Sequence, residues 1–303
     1  MIAFKPVTLC DKRWVDPIVL AENSPSADFN FGNVYIWDKR YRQLVARFGD
    51  RMLTKLRYAG KPFFVFPIGS GPLRPAVEAL REYAEEKGYY PFLLRGITEK
   101  HRAELDAAFP GRFSYREDPD NADYLYPAEK LSTYAGKALH GKRNHCNRFE
   151  AEHDWDFVPL TRELIPGCLD MLDLWSEENA ERLDPSVAYE HDAIVRAFAA
   201  FEQLGLEGGV LRAEGKILGF TVGEMTSADV FDVHFEKAEG SVNGAYPMVC
   251  REFTRMLMKK HPSLVYINRE DDMGLESLRR SKLSYKPVSM VKKYTARWID
   301  DEA

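Results

Sequence analysis

The feature that most constrains this chain is an order of elements that it runs through twice. Near its end, "GGVLRAEGKILGFTVGEMTSADVFDVHFEKA" (208–238) reads as a three-strand meander with "AEGK" as its first turn. A helix is expected over 245–260, then the strand "LVYIN" (264–268), a helix over 275–283 and a closing strand, "VSMVKKYTARW" (288–298). The first half has the same order. "QLVARFG", "MLTKLRYAG" and "PFFVFPIG" are strand-like runs bounded by Gly, Pro or Asp. A helix over 75–87 follows, opened by Pro75 and closed by Gly88. Next come a strand (90–95), a helix (99–109) and two short strands, "RFSYRED" and "DYLYP". Before the first meander lie a strand over 2–8 and a structured loop, "AENSPSADFNFGN"; before the second, a strand over 155–160 and helices over 164–178 and 189–204. A meander joined to βαβ-like units gives a mixed sheet with helices packed on it. The expected fold is therefore α/β (α+β): two sandwiches, over 1–131 and 132–303, joined by a basic connector helix over 132–153.

The chain is long enough for two cores, with 303 residues, of which 45% are hydrophobic and 29% charged. A formal net charge of −5 argues against a DNA partner bound through a basic surface and confines any polyanion contact to local patches. Cys10, Cys146, Cys168 and Cys250 form no C-x-x-C pair, which fits a reducing, cytoplasmic setting without a zinc site or disulfide framework. No signal-peptide pattern opens the sequence, and no apolar window is long enough to span a membrane.

Three stretches carry candidate chemistry. In "DVFDVHFEKA", period two turns Phe231, Val233 and Phe235 one way and Asp232, His234 and Glu236 the other. A carboxylate beside an imidazole on a rigid strand suits general-base work, and a solvent-facing polar side of the sheet is the competing reading. In "YINRE", Tyr266, Asn268 and Glu270 share a face. If the two strands are neighbours, Glu236, His234, Asn268 and Glu270 converge at a strand end, where open α/β sheets bind ligands; a structural ion-pair network is the alternative. Arg279, Lys282 and Lys286 follow as cations for an anionic group.

The third stretch is the connector "GKALHGKRNHCNRF", in which Lys137, Lys142, Arg143 and Arg148 suit a phosphate-rich partner as well as a solvated helix face. Its His140 and His145, with His153 beyond, lack metal-ligand spacing, so no metal is expected. Asn243 and Gly244 precede the 245–260 helix, where free backbone N–H groups could hold phosphate or simply form a turn.

"GKRNHCNRF", "VHFEKA", "GAYPMVCREF" and "YINREDDMGLESLRRSKLSYKP" together resemble a bacterial family grouped with the C-terminal domain of phosphatidylglycerol lysyltransferases. The resemblance spans nearly the whole chain and implies two GNAT-like acyltransferase folds in tandem, as in Fem-type peptidoglycan aminoacyltransferases. In GNAT enzymes a fourth-strand carboxylate serves as base and a tyrosine after the last helix as acid, places matched here by Glu236 and Tyr285. The family's phosphate-binding turn, Q/R-x-x-G-x-G/A, is reduced to Gly244 and Ala245 in "SVNGAYP", so aminoacyl-tRNA stands beside acyl-CoA as a candidate donor. The membrane portion of the lipid-modifying members has no counterpart in the sequence.

The expectation is an acyl- or aminoacyl-transferase acting on an amine or hydroxyl of a small-molecule or peptide acceptor held between the two domains. Glu236 and His234 would accept the proton and Tyr285 would donate one. Asp232, Asn268 and Glu270 would position the acceptor. Asn243, Gly244, Arg279, Lys282, Lys142 and Arg143 would hold donor phosphates. No tightly bound cofactor is expected. A non-catalytic binder of nucleotide, tRNA or protein and a peripheral membrane enzyme remain open. No G-x-S-x-G elbow supports a serine hydrolase.

Overall fold

Residues 2–58, 60–179 and 186–300 are described by the computed structural model, apart from the side chains of 178, 179 and 186–188. The first part of the chain forms β1 (Lys5–Pro6), α1 (Lys12–Glu22), α2 (Phe31–Ile36), α3 (Asp38–Tyr41), β2 (Leu44–Phe48), β3 (Arg51–Tyr58) and β4 (Lys61–Val65). It continues with α4 (Leu73–Glu86), β5 (Leu93–Ile97), α5 (Glu99–Ala108) and β6 (Phe113–Glu117). Helix α4 buries Leu73, Ala76, Val77, Leu80 and Ala84, one stripe of a 3.6-residue repeat.

The expected strand over 2–8 is reduced to β1, and the expected loop at 21–33 contains helix ends. Asn30 caps α2 by accepting from the Asn33 N–H at 2.8 Å, and Ser26 caps a short 3-10 turn. Residues that read as turn formers in the sequence therefore work as N-caps.

Glu22, at the end of α1, is buried. Its Oε1 accepts from Lys100 Nζ at 2.6 Å and lies 3.1 Å from His101 Nε2. Burial alone would raise this carboxyl, but His101 and Lys100 outweigh it and lower the pKa to about 2. A depressed folded-state value contributes stability above the unfolded pKa, and that contribution disappears as pH falls through the folded one. Urea denaturation in steps from pH 5 to 2 should show a loss of about 3 kcal/mol that is absent in Glu22→Gln.

The later part forms β7 (Asp123–Pro127), α6 (Ala128–Thr133), α7 (His140–Glu152), β8 (Trp155–Pro159), α8 (Ile165–Asn179), α9 (Ser186–Ala199) and α10 (Phe201–Leu204). It then forms β9 (Glu207–Ala213), β10 (Lys216–Met225), β11 (Val230–Ala238), α11 (Ala245–Lys260), β12 (Tyr266–Asn268), α12 (Glu276–Ser284) and β13 (Ser289–Val291), before β14 (Tyr294–Trp298).

Two seven-stranded mixed sheets result, ordered β1-β2-β3-β4-β5-β14-β6 and β13-β7-β12-β11-β10-β9-β8. Strands β4 and β5, and β11 and β12, pair in parallel, one pair in each meander-to-βαβ junction. The units are residues 1–123 with 291–303, and residues 124–290, rather than the halves expected on either side of 131/132. Strand β7 enters the second sheet, and β14 returns to the first. The closing run read as one strand divides at Lys292 and Lys293. The buried Lys293 ammonium, 2.7 Å from both Asp28 and Asp123, belongs to the first unit's interior.

In the second unit, α11 covers one face of the sheet. Its buried Met248, Val249, Phe253 and Leu257 share a core with Phe231, Val233 and Ala238 of β11. Helices α8 and α9 lie on the other face. There Phe198 packs against Phe220, and Lys237 reaches both Glu190 and the Trp175 ring. No helix among the described residues is long and apolar enough to cross a membrane.

Candidate active site

The register between β10 and β11 decides which side chains meet. It pairs Thr221 with Glu236 and Val222 with Phe235, then shifts so that Gly223 faces Val233 and Glu224 faces Asp232. His234 is the extra residue of a β-bulge. One inserted residue reverses the facing of everything beyond it. Glu236 therefore lies with Phe231 and Val233 on the α11 face, whereas Asp232 lies with Glu224 on the other. The expected sharing of one face by Asp232, His234 and Glu236 is corrected by this bulge, and so is the solvent-facing alternative, because both faces are covered.

The expected neighbour relation holds: β12 runs parallel to β11, with Asp232 opposite Asn268. The ladder ends there because β12 itself ends at Asn268. Two clusters flank the strand end, one on each face, both made wholly of second-unit residues rather than between the units.

On the α11 face, Glu236 Oε1 accepts from Arg269 Nη2 at 2.7 Å, with side-chain exposures of only 7% and 13%. Arg269 lies 4.5 Å from the centroid of the Tyr285 ring, and Lys142 Nζ, from α7, lies 3.7 Å from it. Burial raises the Glu236 pKa, and the nearby Arg269, Lys142 and Lys282 offset this only in part. Burial opposes charge on Arg269, but Glu236 outweighs it and keeps the guanidinium ionised. Burial, then Arg269, lowers the Lys142 pKa. Burial holds the Tyr285 hydroxyl well above its usual range, so it stays protonated. Two buried polar atoms here have no hydrogen-bond partner, Arg269 Nη1 and Thr221 Oγ1.

On the opposite face, His234 Nε2 lies 3.1 Å from Glu224 Oε1, and its Nδ1 lies 3.1 Å from Glu270 and 3.3 Å from Asp232. Burial would lower the His234 pKa, but Asp232, Glu224 and Glu270 raise it well above the usual imidazole value. The carboxylates that face the His234 ring are thus Glu224, Asp232 and Glu270, and its closest partners do not include Glu236. Asn268 Oδ1 accepts from the Glu270 N–H at 2.7 Å and so fixes the loop that carries Glu270. Asp232, Asn268 and Glu270 thus gather around His234, not around Glu236.

The residues expected to hold donor phosphates are spread over other tasks. Arg279 makes a two-pronged contact with Asp272, both bonds 2.9 Å, and Lys282 Nζ donates to the Arg269 carbonyl at 2.5 Å and to the Asp271 carbonyl. Arg143 donates to the Tyr134 carbonyl at 2.7 Å, and Asn243 Oδ1 meets His145 Nδ1 at 2.7 Å. Gly244, at φ 92°, is where α11 approaches α7: a Cβ there would sit 2.6 Å from the His145 carbonyl oxygen. Much of the crowding after "LVYIN" is a loop tied to itself. Of this group, Lys142 stands against the Tyr285 ring of the Glu236 cluster, and Lys282 is near enough to Glu236 to act on its charge.

Sequence reasoning missed Arg269 and Thr221. Period two places Arg269 on the same face as Val265 and Ile267, and a charge among apolar neighbours is the available signal. A cavity of about 470 Å³ in the first unit, lined in part by Arg74, Arg81, Arg112, Phe109 and Trp298, includes none of the expected site residues.

Two mixed sheets, each with a parallel pair where its meander meets the following βαβ-like unit, define a tandem GNAT-like fold. A tandem GNAT protein from the clavulanic acid biosynthesis pathway shares it, with a TM-score of 0.51 at 12% identity over all of both chains. The chain belongs to the family described as phosphatidylglycerol lysyltransferase, C-terminal, which it matches over residues 21–297. Membership relates it to enzymes that transfer aminoacyl groups. A conserved protein from Bacteroides thetaiotaomicron is 35% identical, with a TM-score of 0.92 over 99% of this chain and 100% of that one. L-PGS from Bacillus licheniformis has the fold at 15% identity, with a TM-score of 0.68 over 100% of this chain and 95% of that one. An uncharacterized protein of Mycoplasmoides gallisepticum is 30% identical over 181 residues, which are 59% of this chain and 57% of that protein's length.

Proposed function

We propose that this chain is an acyl- or aminoacyl-transferase whose reaction centre is the Glu236–Arg269 pair. The carrying observation is a buried carboxylate bound to a guanidinium that keeps Nη1 without an acceptor, with Thr221, whose Oγ1 also lacks a partner, opposite Glu236 on β10. Buried polar atoms without partners are costly, and a substrate oxygen would satisfy them.

In this reading the acceptor amine or hydroxyl gives its proton to Glu236 as it attacks the donor carbonyl carbon. Arg269 Nη1 and Lys142 hold the oxygen that becomes negative in the tetrahedral intermediate. As that intermediate collapses, the bond to the leaving oxygen or sulfur breaks and Tyr285 supplies its proton. Family membership favours aminoacyl-tRNA as donor and a small-molecule or peptide acceptor, with acyl-CoA the other candidate. The engagement of Arg279, Lys282 and Gly244 in packing favours a second reading, a binding module without turnover.

The test incubates the protein with a mixture of charged tRNAs and, separately, with acetyl-CoA and longer acyl-CoAs. Discharge of one donor, reduced about 10²-fold or more in a folded Glu236→Gln variant, is the expected result. Thermal stabilisation by tRNA with no loss of its charge over hours would replace the transferase with the binder.

A further inference from the structure

We propose that Asp232, His234 and Glu270 hold one divalent first-row metal ion on the sheet face opposite Glu236. An imidazole nitrogen has a single in-plane direction for a proton or a ligand. His234 Nδ1 is nevertheless faced by two carboxylates from different segments, Glu270 of the loop after β12 at 3.1 Å and Asp232 of β11 at 3.3 Å. One N–H cannot point at both, whereas one cation on that axis can bind all three. The three donor atoms lie within 4.8 Å of one another. Bonds of about 2.1 Å at right angles would separate neighbouring ligands by about 3.0 Å, close to the two measured edges.

The other ring nitrogen adds to this. Nε2 lies 3.1 Å from Glu224 on β10, which fixes that nitrogen as the protonated one and turns Nδ1 towards the two carboxylates. A carboxylate behind a ligating histidine is the usual outer support of a metal site. Histidine with two carboxylates suits manganese, iron or zinc better than calcium, which takes oxygen ligands throughout. Bound there, the ion would join β11 to the loop that follows β12. Its primary effect would be on stability, independent of whether Glu236 catalyses anything.

The experiment uses the whole chain, stripped with a chelator and titrated with Mn²⁺. One tightly bound Mn²⁺ per chain is expected, with an electron-spin-echo signal from a single imidazole nitrogen and a rise in melting temperature. Glu224→Gln should weaken Mn²⁺ binding roughly 10–100-fold. Asp232→Asn combined with Glu270→Gln should abolish it. If that double variant does not fold, Glu270→Gln alone serves, since its carboxylate is the most exposed of the three ligands and stands in a loop. No stoichiometric binding by the unaltered chain, no nitrogen coupling, or unchanged affinity in a folded Asp232 or Glu270 variant would each overturn the proposal.

Discussion

Replacing Arg269 with Met is expected to destabilise the protein by about 3–5 kcal/mol, the range for removing one partner of a buried ion pair. The loss comes less from the bond to Glu236 than from what remains: a carboxylate whose side chain is 7% exposed, with its guanidinium gone. The face stacked on Tyr285 is also vacated. In a Glu236→Gln background no charge is stranded, so the same replacement should cost about 1–2 kcal/mol less. Equilibrium denaturation of the four proteins of this cycle measures the difference. If the two replacements simply add, Glu236 and Arg269 do not depend on each other.

The second large effect belongs to Gly223, the residue on β10 opposite the bulge. A Cβ built there would sit 1.9 Å from the Asp232 carbonyl oxygen and 2.7 Å from the Phe231 ring. The first of these neighbours is backbone in the middle of a buried strand and cannot swing aside. Gly223→Ala should therefore cost about 3 kcal/mol or more, at or above the upper end for overpacked cores. It should also loosen the register that sends Glu236 to one face and Asp232 to the other. Urea denaturation measures the first effect, and hydrogen exchange at β11 amides reads the second. Gly215→Ala is the contrasting control: nothing lies within 4 Å of its Cβ position, although its φ of 76° still imposes some strain.

The sequence patterns gave the element order and most boundaries, since period two and period 3.6 are local signals. Helix α11 occupies the expected 245–260. What escaped them was non-local. Whether His234 is an ordinary strand residue or an inserted one depends on how β11 pairs with β10, and nothing in "DVFDVHFEKA" announces the insertion. The glycine opposite is the nearest clue, because interior strand glycines mark bulges. The carboxylate–histidine–amide gathering was half legible. His234, Asn268 and Glu270 meet as expected and Asp232 joins them, but Glu236 finds Arg269 instead. Likewise, the cations after β12 were visible as cations. Their anchoring to Asp272 and to backbone carbonyls requires the loop's path, which composition does not supply.

The exchange of strands sets an unusual timetable for synthesis. Strands β5 and β6 of the first sheet have β14 between them. A ribosome that has made residues 1–123 has therefore produced the other six strands of this sheet with the place between β5 and β6 vacant. That gap persists until residues 294–298 emerge, after the whole second unit has been translated. Of the two units, the one begun first is completed second, so while residues 124–290 are being made its unpaired strand edges stand open to chaperones and to neighbouring chains.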